Sequence, residues 1–278
     1  MHEIIKRYNG EMNLINSLSI FIGTGECNAN CAHCAGKVHR KYAPTEDGII
    51  DEDLIYKTLK GCYEKGARYL SISSSGEPTL SPLAVTKALK LVYECKKENI
   101  EYSPINLYSN GIRIGKDKEF CNAYLSLWKN YGLTTIYATV HDIDENKNAK
   151  IYSIDNYPSL EVILSRIHRA NLLMRANLVL SKITIDTFEK FVSAVDYLDK
   201  IGADFISAWS IRGMDDKLDL SLSPFEIELD KMENWVERNK DSKCKVRLLR
   251  EKSRILYQTG QKLTLFPDGT LSNTWRNY

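Results

Sequence analysis

A chain of 278 residues can bury one large core, and single-domain α/β barrels reach this size; 38 Lys and Arg against 36 Asp and Glu leave +2, with no block of like charge to mark a nucleic-acid tail. No run of about 18 apolar residues exists to cross a membrane, and residues 1–8 lack the apolar stretch of a signal peptide, so the chain reads as cytoplasmic with no membrane partner, while the charge balance leaves nucleic acid unsupported as a partner. Seven cysteines, an odd number, argue for metal or core roles over a disulfide framework.

Residues 1–16 read as a lead-in segment and Leu18 to Ile22 as the first strand. A long loop follows over 23–50, and a loop of that length in a compact domain is usually functional. It carries Cys27, Cys31 and Cys34, with three residues between the first pair and two between the second. Three thiolates on one loop form an incomplete ligand set, because iron–sulfur clusters are held by four cysteines in most electron-transfer proteins. Structural zinc is the bland alternative, but it is closed and four-coordinate, and His33 lies too close in sequence to be a comfortable fourth ligand.

Apolar spacing predicts a helix over 51–66, a strand over 68–73 that ends in Ser74-Ser75-Gly76-Glu77-Pro78, and a helix over 82–97. A third strand, 105–108, ends at Ser109-Asn110-Gly111, followed by a helix over about 118–131. A fourth, 134–140, runs into a polar loop from His141 to Asp155. A helix over 159–170 precedes a fifth strand, 172–180, which contains Arg175 and Asn177. Asp186 with Glu189 fits a capping box for the next helix, which Gly202 closes; strand six, 203–209, ends in the loop 210–222.

Six strand-then-helix units imply a parallel sheet, since parallel neighbours need helical crossovers. The strands read as apolar with little alternation, as expected when both faces are covered. The fold class is α/β, a partial (β/α)6 TIM-like barrel over 17–222 with a short C-terminal α/β appendage over 223–278; an open doubly wound sheet is the second choice. The appendage reads as a helix over 224–239, strands at 245–249 and 262–266 and a turn at 267–269, closing the barrel rather than forming an independent domain. Cys62, Cys95 and Cys121 fall in helical patterns as small core residues.

In parallel α/β folds the site lies at the carboxyl ends of the strands. Those ends carry nearly every polar oddity of the sequence. The triplet Cys27, Cys31, Cys34 after the first strand, Gly76-Glu77-Pro78 after the second and Ser109-Asn110-Gly111 after the third together resemble the radical S-adenosylmethionine (SAM) enzymes, over about residues 17–210. The resemblance implies that the three cysteines hold a [4Fe-4S] cluster and that SAM fills its open iron. Gly76 and Glu77 then face the SAM ammonium on a turn stiffened by Pro78, and His33 lies near the adenine. Ser109, Asn110, His141, Arg175 and Asn177 occupy positions of further SAM contacts, Arg175 towards the carboxylate because a guanidinium is a planar fork of donors, and Asn177 towards the ribose.

By the same resemblance the cluster reduces SAM to methionine and a 5′-deoxyadenosyl radical that takes hydrogen from a substrate, in an oxygen-sensitive protein served by a flavodoxin- or ferredoxin-type electron donor. No cysteine follows the hairpin-like 266–271, so a single cluster without an auxiliary (SPASM-type) domain is expected. Substrate contacts are expected from 39–45, 142–150, 212–216 and 275–278, and Cys244 is a candidate hydrogen donor. A polar small molecule is the first choice of substrate. A peptide or protein substrate (a peptide maturase or an activase), a nucleotide as in the antiviral radical SAM dehydratases, and a non-catalytic iron–sulfur protein are the alternatives.

Overall fold

A computed structural model of the chain describes residues 14–213, 217–239, 245–251 and 260–273. Its centre is one sheet of nine strands in the order β7-β6-β5-β4-β3-β2-β1-β8-β9. β1 (Ser17–Phe21), β2 (Tyr69–Ser73), β3 (Ile105–Ser109), β4 (Thr135–Val140), β5 (Leu173–Leu180) and β6 (Phe205–Ser210) are parallel and adjacent in chain order. A doubly wound sheet reverses its strand order at a switch point. This one does not, so right-handed crossovers put the helices on one side, as in a barrel.

The helices are α1 (Glu52–Glu64), α2 (Pro82–Cys95), α3 (Ile112–Lys116), a composite α4 of Lys118–Phe120, the π-helical Cys121–Leu125 and Ser126–Asn130, then α5 (Glu145–Tyr152), α6 (Leu160–Arg169), α7 (Phe188–Ile201) and α8 (Glu226–Arg238). Their apolar faces meet the outer face of the sheet. Ile55 and Leu59 of α1, Val85 and Leu89 of α2, Ile163 and Ile167 of α6 and Phe191 of α7 share one core with Leu18, Ile20, Leu70, Ile72, Leu107, Ile136, Met174, Leu178 and Ile206. Each large aliphatic side chain removed from water there contributes about 1.5–3 kcal/mol. Cys62, Cys95 and Cys121 are buried in this layer.

The other face is polar. Successive side chains of a strand point to opposite faces, so the residues alternating with the core positions line the concave side, the barrel lumen. One register row there reads Thr264, Ser19, Ser71, Asn106, Thr135, and the next reads Tyr108, Tyr137, Arg175, Phe205. The strands therefore alternate, against the expectation of apolar strands covered on both faces. A closed TIM barrel packs its interior with branched apolar layers; this lumen mixes hydroxyls, amides and cations with apolar residues such as Leu173, Val179, Phe205 and Trp209.

Other expectations also shift. The polar stretch after β4 holds α5, whose N-cap Asp144 accepts from Asn146 and Lys147 backbone N–H; a helix with so few apolar positions leaves no periodicity to read. The loop after β1 contains a 3₁₀ run, Ala35–Tyr42. The cap of α7 is Thr187, which accepts from Lys190 N–H, while Asp186 pairs with the Lys190 side chain at 2.6 Å. β7 (Lys245–Leu249) and β8 (Lys262–Leu265) extend the sheet in parallel at opposite edges, beside β6 and β1, and β9 (Leu271–Ser272) pairs antiparallel with β8. Among the described residues no ladder joins β7 to β8 or β9. Among the described residues no helix is long and apolar enough to cross a membrane.

Candidate active site

The loops at the carboxyl ends of β1, β2 and β3 are locked together by close backbone approach. A Cβ at Gly76 would lie 2.0 Å from the Glu26 carbonyl oxygen and 2.3 Å from that of Gly25, and one at Gly36 would lie 2.5 Å from the Ser75 carbonyl oxygen. Only glycine permits these contacts. The cysteine loop thus lies directly on the 74–77 turn, and Glu77 N–H donates to the Glu26 carbonyl at 2.7 Å. At its far end the loop is held by Asn30 N–H donating to the Tyr152 carbonyl at 2.8 Å.

Glu77, 2% exposed, joins the second loop to the third. Its Oε1 accepts from Thr79 N–H (3.1 Å), the Thr79 hydroxyl (2.7 Å) and the Ser109 hydroxyl (2.8 Å), and its Oε2 accepts from Asn110 N–H (2.7 Å). Burial pushes its carboxyl pKa up, and these four bonds work against that shift. Ser109 is used in the same turn, accepting from Gly111 N–H at 3.0 Å, and Pro78 opens a buried 3₁₀ turn, Pro78–Leu80. Asn110 is the link back to the cysteines: its Nδ2 donates to Asn28 Oδ1 at 2.7 Å and lies 3.8 Å from Cys27 Sγ.

The three thiols share one electrostatic environment. Burial, then the charges of Cys34 and Cys27, push Cys31 up to about 12, and burial with the charge of Glu77 pushes Cys27 up. Three thiolates gathered here need a cationic partner, and a coordinated metal deprotonates its thiols outright. Among the described residues no group of three or more His, Cys, Asp or Glu converges on a single-ion geometry. Thiolates that hold separate corners of a cluster need no such convergence.

Beyond the cysteines, His141 is wholly buried, its ring centroid 5.1 Å from that of His33 and 5.1 Å from that of Tyr152. Burial, then the neighbouring His33, lowers its pKa to about 3, so the imidazole is neutral at working pH. Asn148, within the stretch 142–150 expected to contact substrate, is buried and holds this strand end by accepting from the His141 and Asp142 backbone N–H at 3.0 and 3.2 Å. Tyr152 stacks on Tyr157 at 5.2 Å, and their hydroxyls donate to the Thr139 and Asn110 carbonyls. These tyrosines also escaped the sequence reading, since they lie in a stretch without periodicity.

The structure separates the two expected contacts on β5. Asn177 is 1% exposed with neither side-chain atom hydrogen-bonded, one register row from the rim. Arg175 lies a row deeper, donating to the Tyr137 hydroxyl at 3.2 Å and to Ser207 Oγ, with its guanidinium 4.8 Å from the Tyr137 ring centroid. His39, expected among the substrate loops, is instead buried in a stack with Phe266 at 4.7 Å. Arg212 pairs with Glu251. Cys244, residues 214–216 and residues 275–278 lie outside the described residues.

The sequence profile of the Radical SAM superfamily matches residues 21–217, most of the chain. The chain belongs to the radical SAM superfamily. Among solved structures, Streptococcus suis SuiB bound to S-adenosylmethionine superposes with TM-score 0.64 at 15% identity, covering 98% of this chain and 60% of that one. Methylornithine synthase (PylB) gives 0.57 at 15%, covering 99% and 80%. The FeFe-hydrogenase maturase HydG from Carboxydothermus hydrogenoformans gives 0.56 at 12%, covering 94% and 60%. At these identities the likeness is one of fold, and this chain spans 60% of the length of SuiB. A search of curated proteins finds no match.

Radical SAM proteins use SAM and an iron–sulfur cluster, and this site fits both. The cysteine loop presents three part-buried thiols, of which Cys27 and Cys31 have their pKa pushed up by burial and neighbouring charge, a setting that a coordinated metal relieves. Around it, Ser75 Oγ, His141 Nδ1 and both polar atoms of Asn177 are buried without a hydrogen-bond partner. A buried polar group left unpaired by the protein calls for a partner, either ordered water or a polar ligand.

Proposed function

We propose that this protein is a radical SAM enzyme holding one [4Fe-4S] cluster on Cys27, Cys31 and Cys34, and that its substrate is a polar small molecule. When bound, the cluster supplies the electron that cleaves SAM to methionine and a 5′-deoxyadenosyl radical, which takes hydrogen from the substrate. The observation that carries the reading is the interlock of the cysteine loop with the Gly76 and Asn110 turns, surrounded by polar atoms that lack partners.

The chain's own residues divide the remaining work. Gly76 lets the cysteine loop close on the second turn. Glu77 acts as a positioning residue: its carboxylate is spent on Thr79, Ser109 and Asn110, so the peptide groups of the 74–77 turn, with Ser75, are what it presents to the SAM ammonium. Asn110 lies beside Cys27, where a donor to a ligand sulfur raises the cluster potential. The neutral His141 and the amide of Asn177 are assigned to SAM, His33 to the adenine side. The stacked pair Tyr152 and Tyr157 screens the site from water. A flavodoxin- or ferredoxin-type protein is the proposed reductant.

The test is anaerobic reconstitution with iron and sulfide, then dithionite and SAM. Release of 5′-deoxyadenosine, abolished by Cys31→Ser, supports the proposal; cluster-replete protein that releases none favours an electron-transfer or scaffold role.

A further inference from the structure

The registers of β5 to β8 gather positive charge on one wall of the lumen. Ser207 on β6 pairs with Asn177 on β5 and with Arg247 on β7, so Arg247 leaves the sheet on the same face as Ser207, to which Arg175 donates a hydrogen bond. Lys262 on β8 is the third cation. Burial of its ammonium, then the charges of Arg175 and Arg247, lower its pKa, which sets the three groups within electrostatic range of one another. The lumen-facing positions of β1 to β8 carry neither Asp nor Glu. Two buried donors on this wall, Arg175 Nε and the hydroxyl of the fully buried Thr264, two residues along β8 from Lys262, have no hydrogen-bond partner.

Arg175 and Lys262 are half-buried and Arg247 is exposed on the same face, so the wall is open to a ligand, and a bound anion turns the mutual repulsion of the three cations into attraction. Guanidinium groups suit carboxylate and phosphate because they offer paired, charge-assisted donors. We propose that Arg175, Arg247, Lys262 and Thr264 form a subsite for an anionic group, a carboxylate or a phosphate, on the substrate. This deepens the radical SAM reading and rests on it for the link to turnover. Val179, the next rim-level residue on the lumen face of β5, is four residues beyond Arg175, roughly 13 Å along the strand at 3.3 Å per residue. A molecule anchored by its anion at Arg175 therefore reaches the cysteine rim if it is the size of a small metabolite, which gives the anion a part in choosing the carbon presented there.

The experiment uses cluster-loaded protein saturated with SAM, so that the carboxylate of SAM is not the anion measured. Inorganic phosphate and succinate are titrated separately by calorimetry at low chloride, into wild type, Arg247→Gln, Lys262→Gln and the control Lys60→Gln, whose cation is exposed and pairs with Glu98 on the outer helical layer. Saturable one-site binding by wild type and Lys60→Gln, weakened about tenfold or more in both lumen variants, is expected. Phosphate binding alone identifies a phosphate substrate, and succinate binding alone a carboxylate. No binding by wild type, or equal weakening in all three variants, overturns the proposal. Release of 5′-deoxyadenosine by the same wild-type preparation is scored separately: cleavage without anion binding sinks the subsite alone, and anion binding without cleavage sinks the enzyme reading alone.

Discussion

Replacing Glu77 by Gln separates a residue that builds the site from one that only contacts SAM. The amide keeps the volume and one acceptor oxygen. If its nitrogen takes the place of Oε1 it faces Thr79 N–H, and if it takes the place of Oε2 it faces Asn110 N–H. In both orientations a buried backbone donor loses its acceptor, at about 1–3 kcal/mol, and the remaining bonds lose charge assistance. The desolvation that pushes the carboxyl pKa up offsets part of this, because the amide carries no charge to bury. The net expectation is a loss of about 2 kcal/mol. The assay is urea unfolding of cluster-loaded protein without SAM, with the change read as a lower midpoint at unchanged slope. Ser109→Ala, which removes one donor to the same carboxylate, should cost about 1 kcal/mol. Glu77→Gln protein as stable as wild type without SAM, but weakened in SAM binding, refutes the reasoning and returns Glu77 to direct contact with the ammonium.

Gly76→Ala forces the cysteine loop and the second turn apart, since the added methyl falls 2.0 Å from a backbone oxygen; a loss of about 1–3 kcal/mol and less iron per chain after reconstitution are expected, and wild-type iron content counts against the interlock. His141 binds no proton in the folded state until pH falls to about 3, whereas unfolded histidine protonates from 6.5, so stability falls as pH drops through that window. Between pH 6.5 and 4.5 the loss from this residue is about 2–3 kcal/mol at 1.36 kcal/mol per unit; unfolding at both pH values should show a shallower dependence in His141→Asn, and identical slopes refute the assignment. Asn110→Asp exchanges the donor beside Cys27 for a carboxylate and should lower the cluster midpoint potential in an EPR-monitored titration; an unchanged potential removes Asn110 from the environment of the sulfur.

Much of the site was legible because its signals are local. A CxxxCxxC triplet, a Gly-Glu-Pro turn and a Ser-Asn-Gly turn after three successive strands are each contiguous in sequence, and strand ends are where a parallel fold gathers its loops. Glu77 was legible as important but not in its role, because its donors come from Thr79, Ser109 and Asn110, and the latter two lie a strand and a helix away. Tyr152 and Tyr157 left no signal, and Asn148 was legible only as part of a polar loop: they occupy a polar segment whose short helix is held by the Asp144 cap and by tertiary contacts rather than by an apolar stripe.

By itself the sequence determined the order of the six core strands, the α/β class and the motif spacing that pointed to the superfamily, because these follow from local spacing and contiguous motifs. Only the tertiary structure decided which residues face the lumen, that Glu77 is spent on the neighbouring turn, that Arg175 turns towards Tyr137 and Ser207, and that β7 and β8 bring Arg247 and Lys262 to the same wall. Those outcomes depend on register and on contacts between segments far apart in the chain. A shift of one residue along any strand would exchange its lumen face for its core face, and no local pattern sets that choice when Ser, Thr and Asn alternate with Leu and Ile on strands only five to eight residues long.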